Sequence, residues 1–120
     1  SGGGRVASFL AVSYADLFPG LISVCGVNFY TDVPADNGKA YPRRYVPAPE
    51  ALEIAKKNGR FVLLTGSKDF NRDETKAIAE KGFTAEKFAH VRFLEVPEMG
   101  HSVPGAVWAA KALDFLDGKD

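Results

Sequence analysis

Phe61-Val62-Leu63-Leu64-Thr65, closed by Gly66, is a continuous apolar run that carries the strongest fold signal in the chain. A strand that is apolar at every position has both faces covered, which is the mark of a parallel sheet lying between helices. Residues 21–27, Leu-Ile-Ser-Val-Cys-Gly-Val, repeat the pattern and read as a central parallel strand. Residues 91–96, Val-Arg-Phe-Leu-Glu-Val, alternate in part and predict a third strand, nearer a sheet edge.

The segments around these runs carry helical signals. Residues 49–57 have an acidic first turn and a basic last turn and stop at Asn58-Gly59. A helix capped by Asp73 or Asn71 runs through Thr75, Ile78 and Ala79 toward Lys81, and a further short helix is expected over 84–88. Pro104 or Gly105 opens a last helix, with Val107, Trp108, Ala112, Leu113, Phe115 and Leu116 as its apolar stripe. A first helix is expected from 4 to about 14, burying Val6, Phe9, Leu10, Ser13 and Tyr14 with small Ala7 and Ala11 among them. Residues 28–49 lose all periodicity and read as a long irregular loop, of the kind that is functional or mobile in a small domain. Helices alternating with strands predict an α/β fold of three layers, α/β/α, with parallel strands.

Composition narrows the function. The 120 residues set a prior of one domain, and 46% hydrophobic with 25% charged residues is an ordinary globular balance. Fifteen basic residues against fifteen acidic ones leave no surplus to neutralise phosphates, so a dedicated nucleic-acid binder is not expected. No apolar run approaches the roughly 20 residues needed to span a bilayer. A single cysteine, Cys25, excludes an internal disulfide and a cysteine-rich zinc site, and mid-strand it reads as a small core residue. The opening Ser1-Gly2-Gly3-Gly4, with no initiator Met and no signal peptide, looks like a cut edge.

Open parallel sheets place functional groups in the loops leaving the carboxyl ends of their strands. Here such corners offer Ser1 entering a helix, Asp69 after the second strand and His101 after the third. A serine hydroxyl becomes a nucleophile only when a base takes its proton, and histidine titrates near enough to neutrality to do so. A carboxylate on the far ring nitrogen fixes the tautomer and stabilises the imidazolium. Ser1, His101 and Asp69 suit those roles in that order, and the backbone N–H of Gly2 suits an oxyanion. Each residue also has a plainer reading: a linker or cloning scar for the glycines, a turn or cap for Asp69, a structural loop position for His101. Asp73 is a rival acid, although a first-turn position favours capping. His90 reads as a surface or packing residue, and Asp32 and Asp36 as solvated. Phe29, Tyr30, Tyr41 and Tyr45, with Arg43-Arg44, form either a lid and pocket wall or a plain solvated loop.

Ser1-Gly2-Gly3-Gly4-Arg5-Val6-Ala7-Ser8 resembles the second half of the Gly-x-Ser-x-Gly nucleophile elbow of the α/β-hydrolase superfamily, with Ser1 as nucleophile and Gly3 as the final motif glycine. Gly66-Ser67-Lys68-Asp69-Phe70-Asn71 is similar to the loop bearing the triad acid, and Pro97-Glu98-Met99-Gly100-His101 to the Gly-His loop after the last strand. The look is nearest to polyhydroxybutyrate-depolymerase-like and feruloyl-esterase-like hydrolases. The resemblance implies that 1–120 is the C-terminal half of such a domain, in which a small-molecule or polymeric ester is hydrolysed through an acyl-enzyme with no metal or organic cofactor, and that this half needs the N-terminal half for activity. The compartment is left open by the sequence, and a secreted or periplasmic one is compatible with the resemblance. The Leu21 strand would then be an exposed apolar edge that pairs with an N-terminal half or another chain. Rival readings are a non-catalytic α/β scaffold, an anion-binding module at Gly2 to Gly4 lacking the Lys and Ser/Thr of a P-loop, and an N-terminal nucleophile using its own amine.

Overall fold

A computed structural model describes residues 1–119. The chain runs through helix Gly2–Ser13 (α1), strand Gly20–Val24 (β1), short strands Val33–Pro34 (β2) and Ala40–Tyr41 (β3), helix Pro49–Asn58 (α2) and strand Arg60–Gly66 (β4). Helix Arg72–Ala77 (α3) follows, continued by the π-helical segment Ile78–Thr84, and then strand His90–Val96 (β5) and helix Ala106–Leu116 (α4). β1, β4 and β5 form one parallel sheet in the order β1-β4-β5.

The middle strand is the one whose sequence is apolar throughout. Successive side chains of a strand point to opposite faces, so β4 feeds two cores. Phe61 and Leu63 join Leu21, Ala11, Val12, Ala55, Ile78, Ala79 and Phe83 on one face. Val62 and Leu64 join Leu94, Val96, Ala112 and Phe115 on the other. α1, α2 and the π-helical segment therefore cover one side and α4 the other, giving the three layers. Each fully buried Phe contributes on the order of 2–3 kcal/mol through the water it sheds, and Phe61 and Phe83 are both 0% exposed with ring centroids 5.1 Å apart.

Several expectations need correction. β1 is an edge strand, not a central one, and it stops at Val24. Cys25 takes a left-handed φ of 56°, so the apolar run breaks at the residue before Gly26 and Cys25 is not mid-strand. α1 turns a different face inward: Ser8, Ala11 and Val12 are buried, whereas Val6 and Tyr14 are 58% and 48% exposed. The reason is close approach, because a Cβ on Gly4 would lie 2.3 Å from the Gly26 carbonyl oxygen and one on Gly26 2.7 Å from that of Ser1. Only the small-residue face fits that gap. In α4, Ala112 and Phe115 are buried but Val107 and Leu113 stand out in solvent. The 84–88 helix does not form, since the π-helical turns end at Thr84 and Lys87 adopts a φ of 66°.

The 28–49 segment is not an unstructured loop. β2 and β3 pair antiparallel around Gly38, whose φ of 79° suits a residue without a Cβ, and Val33 is fully buried. Phe29 is a core residue at 2% exposure, against Phe83 and Gly82, where a Cβ would sit 3.1 Å from the Phe29 ring. Tyr30, Tyr41 and Tyr45 pack on the same core.

Candidate active site

Three loops converge at the carboxyl ends of β1, β4 and β5. Ser1 precedes α1, and its nitrogen donates to the carbonyl of Val24 at 3.0 Å, which hangs the helix start on the end of β1. Asp69 follows β4 and His101 follows β5. The two loops are locked together: Lys68 N–H donates to Met99 O at 2.9 Å and Ser67 N–H to Val96 O at 3.0 Å.

His101 Nδ1–H donates to Asp69 Oδ1 at 2.8 Å. The ionised carboxylate can only accept, so it places the ring proton on Nδ1 and leaves the Nε2 lone pair free. The Asp69 side chain is fully buried, while that of His101 is 31% exposed. Asp69 Oδ2 accepts from Thr65 Oγ1 at 2.7 Å, and Oδ1 also accepts from the Asn71 N–H at 3.2 Å. Phe70, 77% exposed, stacks on the His101 ring at 4.3 Å and 16° and fixes its plane. Ser1, Val24, Cys25, His101, Ser102 and Val103 line a cleft of about 270 Å³. A larger cavity of about 570 Å³ lies on α2 among Pro49, Leu52, Lys56 and Lys87, but its lining holds no serine, cysteine or histidine, whereas the smaller cleft brings Ser1, Cys25 and His101 together.

The electrostatics suit an orienting acid. Burial alone raises the Asp69 carboxyl, yet hydrogen bonds from Thr65, His101 and Asn71 outweigh it and leave the group below its ordinary value of 3.8. Burial pushes the Cys25 thiol up. The Cys25 sulfur, Asp69 carboxylate and His101 ring nitrogen lie within 4.8 Å of one another, a spacing a metal would accept. The donors already on Asp69, and the use of His101 Nδ1 to reach it, fit a hydrogen-bonded acid–base pair better than a ligand set.

A lowered folded-state pKa makes acid stability depend on Asp69. Its contribution is fully present above the unfolded-chain value, about 3.9, and is lost as pH falls through the lower folded value. Urea unfolding midpoints from pH 6 down to pH 2 are therefore expected to fall less steeply in Asp69→Asn than in the wild type; parallel curves would contradict this.

Ser1, Asp69 and His101, expected from sequence, are thus brought to one place. The four aromatics are not: none of Phe29, Tyr30, Tyr41 and Tyr45 lines this cleft. Tyr30 OH instead donates to Glu86 at 2.9 Å. Gly2 sits in the first turn of α1 with open space around it, where helical N–H groups have no partner within the helix. Gly3 is equally open, and the tightly packed glycine is Gly4. Asp73 is exposed and pairs with Arg72 at 2.9 Å, away from His101. Asn71 is the N-cap residue of α3 but makes no side-chain cap. His90 begins β5, half-buried, at the opposite end of the sheet. Thr65, Phe70, Cys25 and Asn71 were not singled out for the site; the one signal was their closeness in sequence to Asp69 or to the Gly26 break.

A parallel sheet between helices, with an acid and a histidine paired beyond the carboxyl ends of neighbouring strands, defines a three-layer α/β protein with its candidate site at the usual end of the sheet. Among solved structures the chain is similar to a feruloyl esterase module from Clostridium thermocellum, a serine-to-alanine mutant complexed with sinapinate, with a TM-score of 0.53 and 14% identity. The likeness covers 95% of this chain and 40% of that one, and at this identity it concerns the fold alone. No family model matches the sequence. No curated protein matches it either. Among the described residues, no helix is long and apolar enough to cross a membrane.

Proposed function

We propose that the chain carries the nucleophile, base and acid of a serine hydrolase of carboxylic esters. The observation that supports this best is the 2.8 Å bond from His101 to buried Asp69, beside a cleft that Ser1 also lines. In this reading His101 Nε2 takes the Ser1 hydroxyl proton as Oγ attacks the ester carbonyl. The oxyanion is met by the Gly2 N–H, a contact worth about 3 kcal/mol when well aimed. The same imidazolium returns the proton to the leaving alcohol, and water, activated by His101, then releases the acid from the acyl-enzyme. No organic cofactor or metal has a step in this scheme.

Esters of small molecules or of polymers are the substrates in this reading, and the unpaired edge of β1 is where further chain or a partner would add a strand. The test is covalent labelling of the intact protein with a fluorophosphonate. Ser1 is expected to carry the adduct, and His101→Ala to abolish it. An unlabelled, folded wild type would end the hydrolase reading. Turnover of p-nitrophenyl acetate against longer acyl esters then reads the size of the acyl site.

A further inference from the structure

The largest polar network near the cleft belongs to a residue with no part in the reaction above. Arg5, one helical turn after Ser1, donates through one guanidinium nitrogen to Val27 O at 3.0 Å and Asn28 Oδ1 at 2.9 Å. Through the other it pairs with Glu74 of α3 at 2.6 Å and reaches Asn71 Oδ1 at 3.5 Å. The pair is half-buried, with Arg5 and Glu74 side chains 30% and 15% exposed. Asn71 passes the connection on: its amide donates to Cys25 O at 2.8 Å, and its backbone N–H donates to Asp69 Oδ1 at 3.2 Å. Cys25 is the residue held at positive φ.

We propose that Arg5 is a positioning residue that ties the turn carrying Ser1 to the loop carrying Asp69. This rests on the hydrolase reading and adds to it the element that sets the distance between nucleophile and base. Among the described residues, the segments that carry Ser1 and Asp69 share no backbone hydrogen bond, whereas the Asp69 and His101 loops share two. Without Arg5 the helix start keeps its bond to the end of β1 but loses its side-chain tie to the loop that carries Asp69. Only the planar fork of arginine reaches acceptors on both sides at once, and a single ammonium cannot. A displacement of about 1 Å between reacting groups costs roughly a hundredfold in rate.

The test is the rate of fluorophosphonate labelling of the intact protein, resolved into kinact and KI, at a temperature where each variant is folded. Arg5→Gln is expected to lower kinact about a hundredfold with KI within about threefold, because the loss is one of alignment and not of binding. Arg5→Lys keeps the charge toward Glu74 and should recover part of the rate, leaving a deficit of about tenfold. The Asn71 side-chain amide resonances, shifted by the bond to Cys25, should move in Arg5→Gln. A folded Arg5→Gln that labels at the wild-type kinact overturns the proposal. If Arg5→Gln does not fold, Arg5→Lys at full wild-type kinact does the same. If the wild type itself never labels, the hydrolase reading fails, and the Asn71 amide alone decides the tie: unchanged resonances in the variant overturn it.

Discussion

Asp69→Asn is expected to slow phosphonylation of Ser1 by about ten-thousandfold while the chain stays folded. The carboxylate accepts three bonds, from Thr65 Oγ1, His101 Nδ1 and the Asn71 N–H. An amide of the same shape has one acceptor oxygen and an NH₂ group that cannot accept. If the oxygen serves Thr65, the NH₂ faces Nδ1, which must then give up its proton and become the acceptor. The proton moves to Nε2, and the base presents a donor to Ser1 where a lone pair is required. Labelling kinetics at neutral pH, with a thermal melt as control for folding, measure the effect. A rate within tenfold of the wild type would show that Asp69 does not orient His101.

Gly66→Ala is expected to cause the largest loss of stability of any single methyl addition at a glycine, about 3 kcal/mol. The added Cβ would lie 1.9 Å from the carbonyl oxygen of Met99 and 2.5 Å from its carbonyl carbon. Those are backbone atoms, so no side-chain rotation relieves the overlap. The end of β4 must separate from the loop after β5, breaking the bonds of Ser67 and Lys68 to Val96 and Met99 and moving His101 with them. Gly3→Ala is the counterpart: its Cβ meets nothing within 4 Å inside α1, and alanine favours a helix over glycine by about 1 kcal/mol. Denaturant unfolding midpoints should therefore move in opposite directions for the two variants. A Gly66→Ala midpoint equal to the wild type would mean that the two loops are not held as closely as described.

Residue by residue, the parts that sequence makes legible are those with a local cause. Phe61 to Thr65 is apolar because both faces of β4 are covered, and the partial alternation around Arg92 reflects a strand at the sheet edge. The acidic start and basic end of 49–57 and the Asn58-Gly59 stop mark α2 to within a residue. Strand ends in an α/β order point to Asp69 and His101 because parallel strands send their carboxyl ends to one side. The inward face of α1 is not legible in its apolar pattern, which argues for Val6 and Phe9, because the space at Gly4 and Gly26 admits only small residues. Neither a pocket wall nor a solvated loop describes Phe29: its segment lacks periodicity, yet its ring is buried against Phe83 and Gly82 of the π-helical segment.

The alternation of helices with apolar runs is enough to establish the layered α/β architecture and to put an acid and a histidine after the second and third parallel strands, since these follow from hydrophobic period and chain order. Which strand lies in the middle does not follow from them. Tertiary structure alone decided which residues complete the site. Thr65 on Asp69, Phe70 on His101, Cys25 beside both, and Arg5 bridging to Asn71 and Glu74 meet only when the strands are in register. Arg5 and Glu74 are 69 positions apart in the chain. Contacts of that separation leave no local pattern, because what brings the partners together is burial of the two cores on either side of β4.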